Sequence, residues 1–221
     1  MEIYAGAQPD GPFCISYKPQ DVVKRLTEPI HNTGRNVTTD NWFSSFELVR
    51  DLDEKKLTFV GTLKKNKPQI LDQFKLTKTQ EPNTSLFRFR KNMTLLSYVP
   101  KRYRNVILIS SLHDDVAIDK DTKEQKKPEI ITFYNRTKGG VDTVDKLCAS
   151  YNVARNTRRW PLVVFFSMLN IAAINSYIIH STNNSEKLLR RQYLRKLANA
   201  LMKENFERRS PTPLQSELKL K

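Results

Sequence analysis

Apolar positions along this chain recur in two periods, and the changes between them outline its elements. Asp21-Val-Val-Lys-Arg-Leu-Thr27 opens on an acid, which suits the positive end of a helix, and predicts a short helix. Val37-Thr38-Thr39 predicts a β-branched strand ending at Asp40, followed by a helix from residue 42 that carries Phe46, Val49 and Leu52 on one face. Leu57-Thr-Phe-Val-Gly-Thr62 predicts a further strand, and Lys64-Lys65-Asn66-Lys67-Pro68 a basic loop. Ser85–Arg90 and Met93–Val99 flank Lys91-Asn92 as the arms of a hairpin, and Asn105–Ser111 reads as a buried strand. The polar stretch from Asp119 to Pro128 is a loop, and Ile130-Ile-Thr-Phe-Tyr134 predicts another strand.

From Val141 the period lengthens to that of a helix, with Val141, Val144, Cys148 and Tyr151 on one face. Residues 152–221 read as all-α. Leu162 to Ile179 is a run of 18 residues without a charge, long enough to span a bilayer. Ser167, Asn170, Asn175 and Ser176 lie inside it and would be costly in hydrocarbon, so a membrane span is disfavoured. The last helix, 185–209, carries Leu194, Leu197 and Leu201 at helical spacing, with Arg190, Arg191, Arg195 and Lys196 around them.

The helix that begins at Gly139-Gly140 holds the densest candidate chemistry. Asp142 and Asp145 are three residues apart and so neighbours on its first turn. Two adjacent carboxylates repel; a helix N-terminus relieves part of that repulsion and a divalent cation more. Taken alone, the pair reads equally as solvated acids at a helix start.

A second segment changes that balance. Thr39-Asp40-Asn41-Trp42-Phe43-Ser44-Ser45, Val60-Gly-Thr-Leu-Lys-Lys-Asn-Lys-Pro68 and Tyr134-Asn-Arg-Thr-Lys-Gly-Gly-Val-Asp-Thr-Val-Asp145 together resemble the piggyBac transposase family. The resemblance continues through Thr157-Arg-Arg-Trp-Pro161 and Asn170-Ile-Ala-Ala-Ile-Asn-Ser176, covering roughly residues 3–209. It implies a mixed α/β chain holding part of an RNase H-like catalytic fold. Residues 1–66 would be its first part, 67–128 a β-rich insertion, 129–151 the return with the catalytic helix, and 152–221 a helical dimerisation and DNA-binding segment.

The implied activity is metal-dependent DNA cleavage and strand transfer on Mg2+ or Mn2+, in which two ions activate the attacking oxygen and stabilise the leaving one. By motif, Asp40 and Asp142 would be catalytic metal ligands, with Asp145 assisting. The family also places an aspartate on a first strand, ahead of the segment where this sequence opens. Asp10, in a Pro-Asp-Gly-Pro turn, and Asp21, at a helix start, are poor substitutes, so these 221 residues alone are expected to be inactive. A domesticated, non-catalytic DNA-binding or dimerising protein, or a decayed transposon fragment, is the alternative.

Charge bears on the partner. The net charge is +15, and residues 152–221 hold 13 Lys and Arg against 4 Glu. Such an end attracts a polyanion by neutralising phosphates and releasing counterions. Lys64, Lys65, Lys138, Arg155, Arg158, Arg159, Arg190 and Arg191 are the candidate contacts to double-stranded DNA, in a possible homodimer. Trp42 is expected to pack beneath the Asp40 site and Trp160 in the core, although Trp160 beside three arginines could stack on a base. Only Cys14 and Cys148 are present, which argues for a reducing compartment, cytosol or nucleus, and against a structural zinc site; the nucleus is the expected location. His113-Asp114-Asp115 is a weak metal candidate by spacing.

Overall fold

Residues 2–3, 9–12, 14–75, 80–185 and 187–209 are described by a computed structural model, in two units that divide between Gly139 and Gly140. In the first unit the period-two segments pair into one five-stranded sheet. Its order is β1 (Asn36–Thr39), β2 (Thr58–Thr62), β5 (Arg104–Ser110), β4 (Met93–Lys101), β3 (Thr84–Arg90). β1 and β2 are parallel, with Thr39 opposite Gly61, and the remaining pairs are antiparallel. Strands from residues 84–110 thus lie in the same sheet as the strand that leads to Asp40.

Alternation along the strands builds a core on each face of this sheet. Phe59, Leu95, Ile107 and Ile109 point to one side, where α1 (Pro19–Thr27) and α2 (Phe46–Glu54) cover them with Val23, Leu48, Val49 and Leu52. Val60, Leu96, Tyr98 and Leu108 point to the other, against Ile130 and Ile131. The three inner strands, β2, β5 and β4, are therefore apolar on both faces, as strands buried from both sides must be.

α1 starts at Pro19, carries Asp21 in its first turn and Lys24 and Arg25 in its last, so its charges complement its dipole. α2 begins at Phe46 rather than at residue 42. Ser45 is its cap, its hydroxyl oxygen accepting the Leu48 N–H at 3.1 Å, while residues 40–44 form a turn.

The strand expected at 130–134 is instead a helix, α3 (Glu129–Thr137). Pro128 fixes an extended residue ahead of it, and Glu129 sits in its first turn. Ile130, Ile131, Phe133 and Tyr134 all pack toward the sheet, a spacing that a helix satisfies and a strand, which alternates faces, cannot. Thr38 donates its hydroxyl hydrogen to the Thr137 hydroxyl oxygen at 3.0 Å, which ties the end of α3 to β1.

The second unit is helical: α4 (Gly140–Ser150), α5 (Trp160–Asn183) and α6 (Arg190–Arg209). α5 holds the uncharged run from Leu162 to Ile179. By length and composition it could cross a membrane, yet Asn170 and Ile174 are its buried residues, and Val163, Phe165, Met168, Ile178 and Ile179 are exposed. Asn170 has partners: its carbonyl accepts the Val153 N–H at 3.0 Å and its amide donates to Asn152 at 2.9 Å. That pairing fixes the segment between α4 and α5 and offsets the burial of a polar side chain. α6 starts at residue 190 rather than 185, and Leu201 on its leucine stripe is 75% exposed.

Candidate catalytic and nucleic-acid-binding site

Asp40 follows the last residue of β1, where the strand ends and the chain must turn. The turn is held from three sides. The Asp40 carboxylate accepts the Trp42 N–H at 3.0 Å through Oδ1. Its backbone carbonyl accepts the Ser44 hydroxyl at 2.7 Å and the Ser44 N–H at 3.3 Å. Ser44 has given its only hydroxyl hydrogen to that carbonyl, so the Thr39 hydroxyl, 2.9 Å away, donates to Ser44. Ser44 is 1% exposed, and it lies over β2 where Gly61 has no side chain: a β-carbon there would overlap the Ser44 hydroxyl and sit 2.9 Å from the Phe59 ring. The glycine in the middle of this strand is thus explained by the close approach of the Asp40 turn. The Asp40 carboxylate is exposed, forms no ion pair among the described residues, and keeps Oδ2 open.

Lysines lie beside it. Lys64 places its ammonium 4.5 Å from the centroid of the Trp42 ring, while Lys65 is exposed. Trp42 is 61% exposed and does not pack under the site as expected; a cation on its face, not the core, is its neighbour. Lys138 ends α3, its ammonium 5.7 Å from the Tyr134 ring centroid, and the Thr38–Thr137 bond brings that helix end against β1 two residues before Asp40.

In the second unit, Asp142 lies in the first turn of α4 and Asp145 three residues on. Both are exposed, and neither forms an ion pair among the described residues. Val141, on the face read as apolar, is 72% exposed. Arg155, Arg158, Arg159 and Arg191 are exposed and without ion pairs there. Trp160, the first residue of α5, is 72% exposed rather than a core anchor. Arg190 differs from its neighbour Arg191: its guanidinium donates to the Leu147 carbonyl at 2.9 Å and lies 5.1 Å from the Tyr151 ring, joining α6 to α4.

His113 sits among its own partners. Its Nδ1 is 2.9 Å from the Ser110 hydroxyl, and its ring meets Phe133 edge-on. Burial holds its pKa below the usual imidazole value, against the upward pull of Glu129, Asp115 and Asp114. Among the described residues no group of three or more His, Cys, Asp or Glu is placed to hold a metal ion. The donor chemistry at Asp40, Asp142 and Asp145 is hard carboxylate oxygen, which fits Mg2+ or Mn2+ and not a thiolate-loving metal.

A family model described as Transposase IS4 matches residues 1–177. The chain belongs to this family, among its piggyBac-type DDE members. A cryo-EM structure of a piggyBac transposase synaptic complex with hairpin DNA is similar to it at 38% identity and a TM-score of 0.83. The similarity covers 90% of this chain and 42% of that one, so the chain spans less than half of that transposase. The mixed α/β sheet with its flanking helices is therefore a piggyBac-type transposase fold, and the chain is transposase-derived. DDE transposases use divalent metal ions.

The sequence motifs pointed to Asp40 but not to the groups that hold it. Ser44 and Gly61 are invisible to charge or metal-ligand spacing. The signal available was a glycine inside an otherwise β-branched and aromatic strand.

Proposed function

We propose that this chain binds duplex DNA at the end of the sheet that carries Asp40. There it contributes an RNase H-like part of the metal-dependent centre for DNA cleavage and strand transfer. The observation that carries this reading is Asp40 itself: an exposed carboxylate with no ion pair among the described residues, on a turn braced by Ser44, Thr39 and Trp42, with Lys64 over the Trp42 ring. Bracing matters because metal ligands work only when their own positions are fixed. By the family motif Asp40 and Asp142 would be ligands of the ion, Mg2+ or Mn2+, with Asp145 assisting, and the charge stabilisation such an ion supplies at a phosphate is the chemistry this reading needs. Lys64, Lys65 and Lys138 bind phosphates beside Asp40, and Arg155, Arg158, Arg159 and Arg191 bind them from the helical unit, fixing the register of the duplex without reading its sequence. A homodimer in the nucleus is the setting that this reading carries.

A second reading, binding without cleavage by residues 1–221 alone, is favoured by the lack of any metal-ligating cluster of three or more side chains among the described residues. Fluorescence anisotropy of a labelled duplex, with gel analysis of the same samples in Mg2+, separates the two. Binding that weakens steeply with salt supports both readings; a Mg2+-dependent nick that Asp40→Asn abolishes selects cleavage, and its absence selects binding alone. No salt-sensitive binding refutes both.

A further inference from the structure

Lys101 and Arg104 are partners across the last rung of the β4–β5 hairpin, so two cations face each other there. Like charges directly opposite destabilise an antiparallel pair. Between them the chain turns through Arg102 and Tyr103. Tyr103 holds φ at 65°, a left-handed conformation that glycine or asparagine adopt readily and bulky side chains resist. The Arg102 guanidinium lies 5.1 Å from the Tyr103 ring centroid. All four residues are exposed, and none of the three cations forms an ion pair among the described residues. The other hairpin is built differently: Arg90 faces Met93, and Asn92 is anchored to the Asp53 carboxylate at 3.0 Å. Both tips carry a left-handed residue, Lys91 at φ 48° and Tyr103, but of the two only this one sets two cations opposite each other on its closing rung, the pattern of a segment shaped for a partner rather than for stability.

The strand register places that tip. Thr39 pairs with Gly61 and Thr62 with Leu108, so Asp40 stands level with Thr62. The Leu63 N–H donates to the Ile107 carbonyl at 2.8 Å, carrying the pairing one residue further. Arg104 lies beyond it, past the level of Lys64, at the same end of the sheet as Asp40. At about 3.4 Å per residue and about 4.8 Å between strands, its backbone is roughly 17 Å from that of Asp40, or about five nucleotides of a DNA strand.

We propose that the Lys101–Arg104 hairpin tip is a second DNA contact, gripping backbone phosphates about five base pairs from the phosphate at Asp40. This rests on the DNA-binding reading above. A polyanion removes the repulsion between Lys101 and Arg104, and the exposed Arg102 and Tyr103 lengthen the footprint along the duplex. The partner is duplex DNA and not an acidic protein, because the tip shares its end of the sheet with the Asp40 turn and Lys64.

The test is the salt dependence of duplex binding for the full chain and three variants. Each phosphate contact contributes about 0.9 to the slope of log affinity against log salt concentration. Lys101→Ala/Arg102→Ala/Arg104→Ala should lower that slope by about 2 to 3, and Arg104→Gln alone by about 1. Tyr103→Gly should keep the slope and raise the melting temperature. If the full chain binds with an unchanged slope in both the triple variant and Arg104→Gln, the tip proposal is overturned while the DNA-binding reading stands. If the full chain binds no duplex, the reading beneath it has failed. A triple variant that melts early is decided by Arg104→Gln, which removes one charge and leaves the hairpin intact.

Discussion

The Ser44 hydroxyl donates to the Asp40 carbonyl oxygen at 2.7 Å, and it occupies the space left by the missing side chain of Gly61. A strand glycine, a buried serine and an exposed aspartate are therefore one device. Gly61→Ala should destabilise the fold by about 1–3 kcal/mol through overpacking. Ser44→Ala should cost about 1 kcal/mol for the lost hydrogen bond. The double variant should cost less than the sum, since removing the hydroxyl makes room for the methyl. Urea denaturation of the three variants checks this; strictly additive costs would refute the coupling.

His113 gives the first unit a pH dependence of defined sign. Burial lowers its folded-state pKa, so the unfolded chain takes up the proton first. The stabilisation from a neutral His113 is complete above about 6.5, the ordinary value for imidazole. It declines as the pH falls below that, and is lost once the pH has passed through the lower folded-state value. Thermal melts between pH 7.5 and 5 should therefore fall more steeply for the natural protein than for His113→Gln. Equal slopes would show that His113 titrates alike in both states.

Arg190 and Arg191 are adjacent cations with different predicted fates. Arg190→Ala removes the bond to the Leu147 carbonyl and the cation on Tyr151, and should destabilise the helical unit by about 1–3 kcal/mol. Arg191→Ala, at an exposed position without an ion pair among the described residues, should stay within about 0.5 kcal/mol. Helical circular dichroism under denaturant reads both. On DNA the order should reverse, with Arg191→Ala lowering the salt slope directly.

Much of the sheet was legible because alternation survives in it: Phe59 and Val60, or Ile107 and Leu108, turn to opposite faces as their spacing demands. Ile130–Tyr134 misled because four bulky apolar residues in five suit a strand by type and a helix by spacing. Short runs of this kind cannot be told apart by period alone; Pro128 and the sheet face waiting to be covered decide it. Trp42 and Trp160 read as core residues by size. Their surroundings are set by residues distant in sequence, as Lys64 is for Trp42. Asp40, Asp142 and Asp145 could be found from motifs, but the Ser44–Gly61 brace depends on two elements meeting, which one-dimensional spacing does not record.

The central claim is that Asp40 and Asp142 hold a divalent ion beside bound DNA. Electron paramagnetic resonance of Mn2+ titrated into the chain with duplex DNA tests it most directly, because it counts bound ions without requiring turnover. Asp40→Asn and Asp142→Asn replace exposed carboxylates that form no ion pair among the described residues, so each should melt with the natural protein. The account predicts protein-dependent Mn2+ binding that each substitution weakens at least tenfold, on the order expected for losing one carboxylate ligand. Mn2+ binding unchanged in both variants would contradict it.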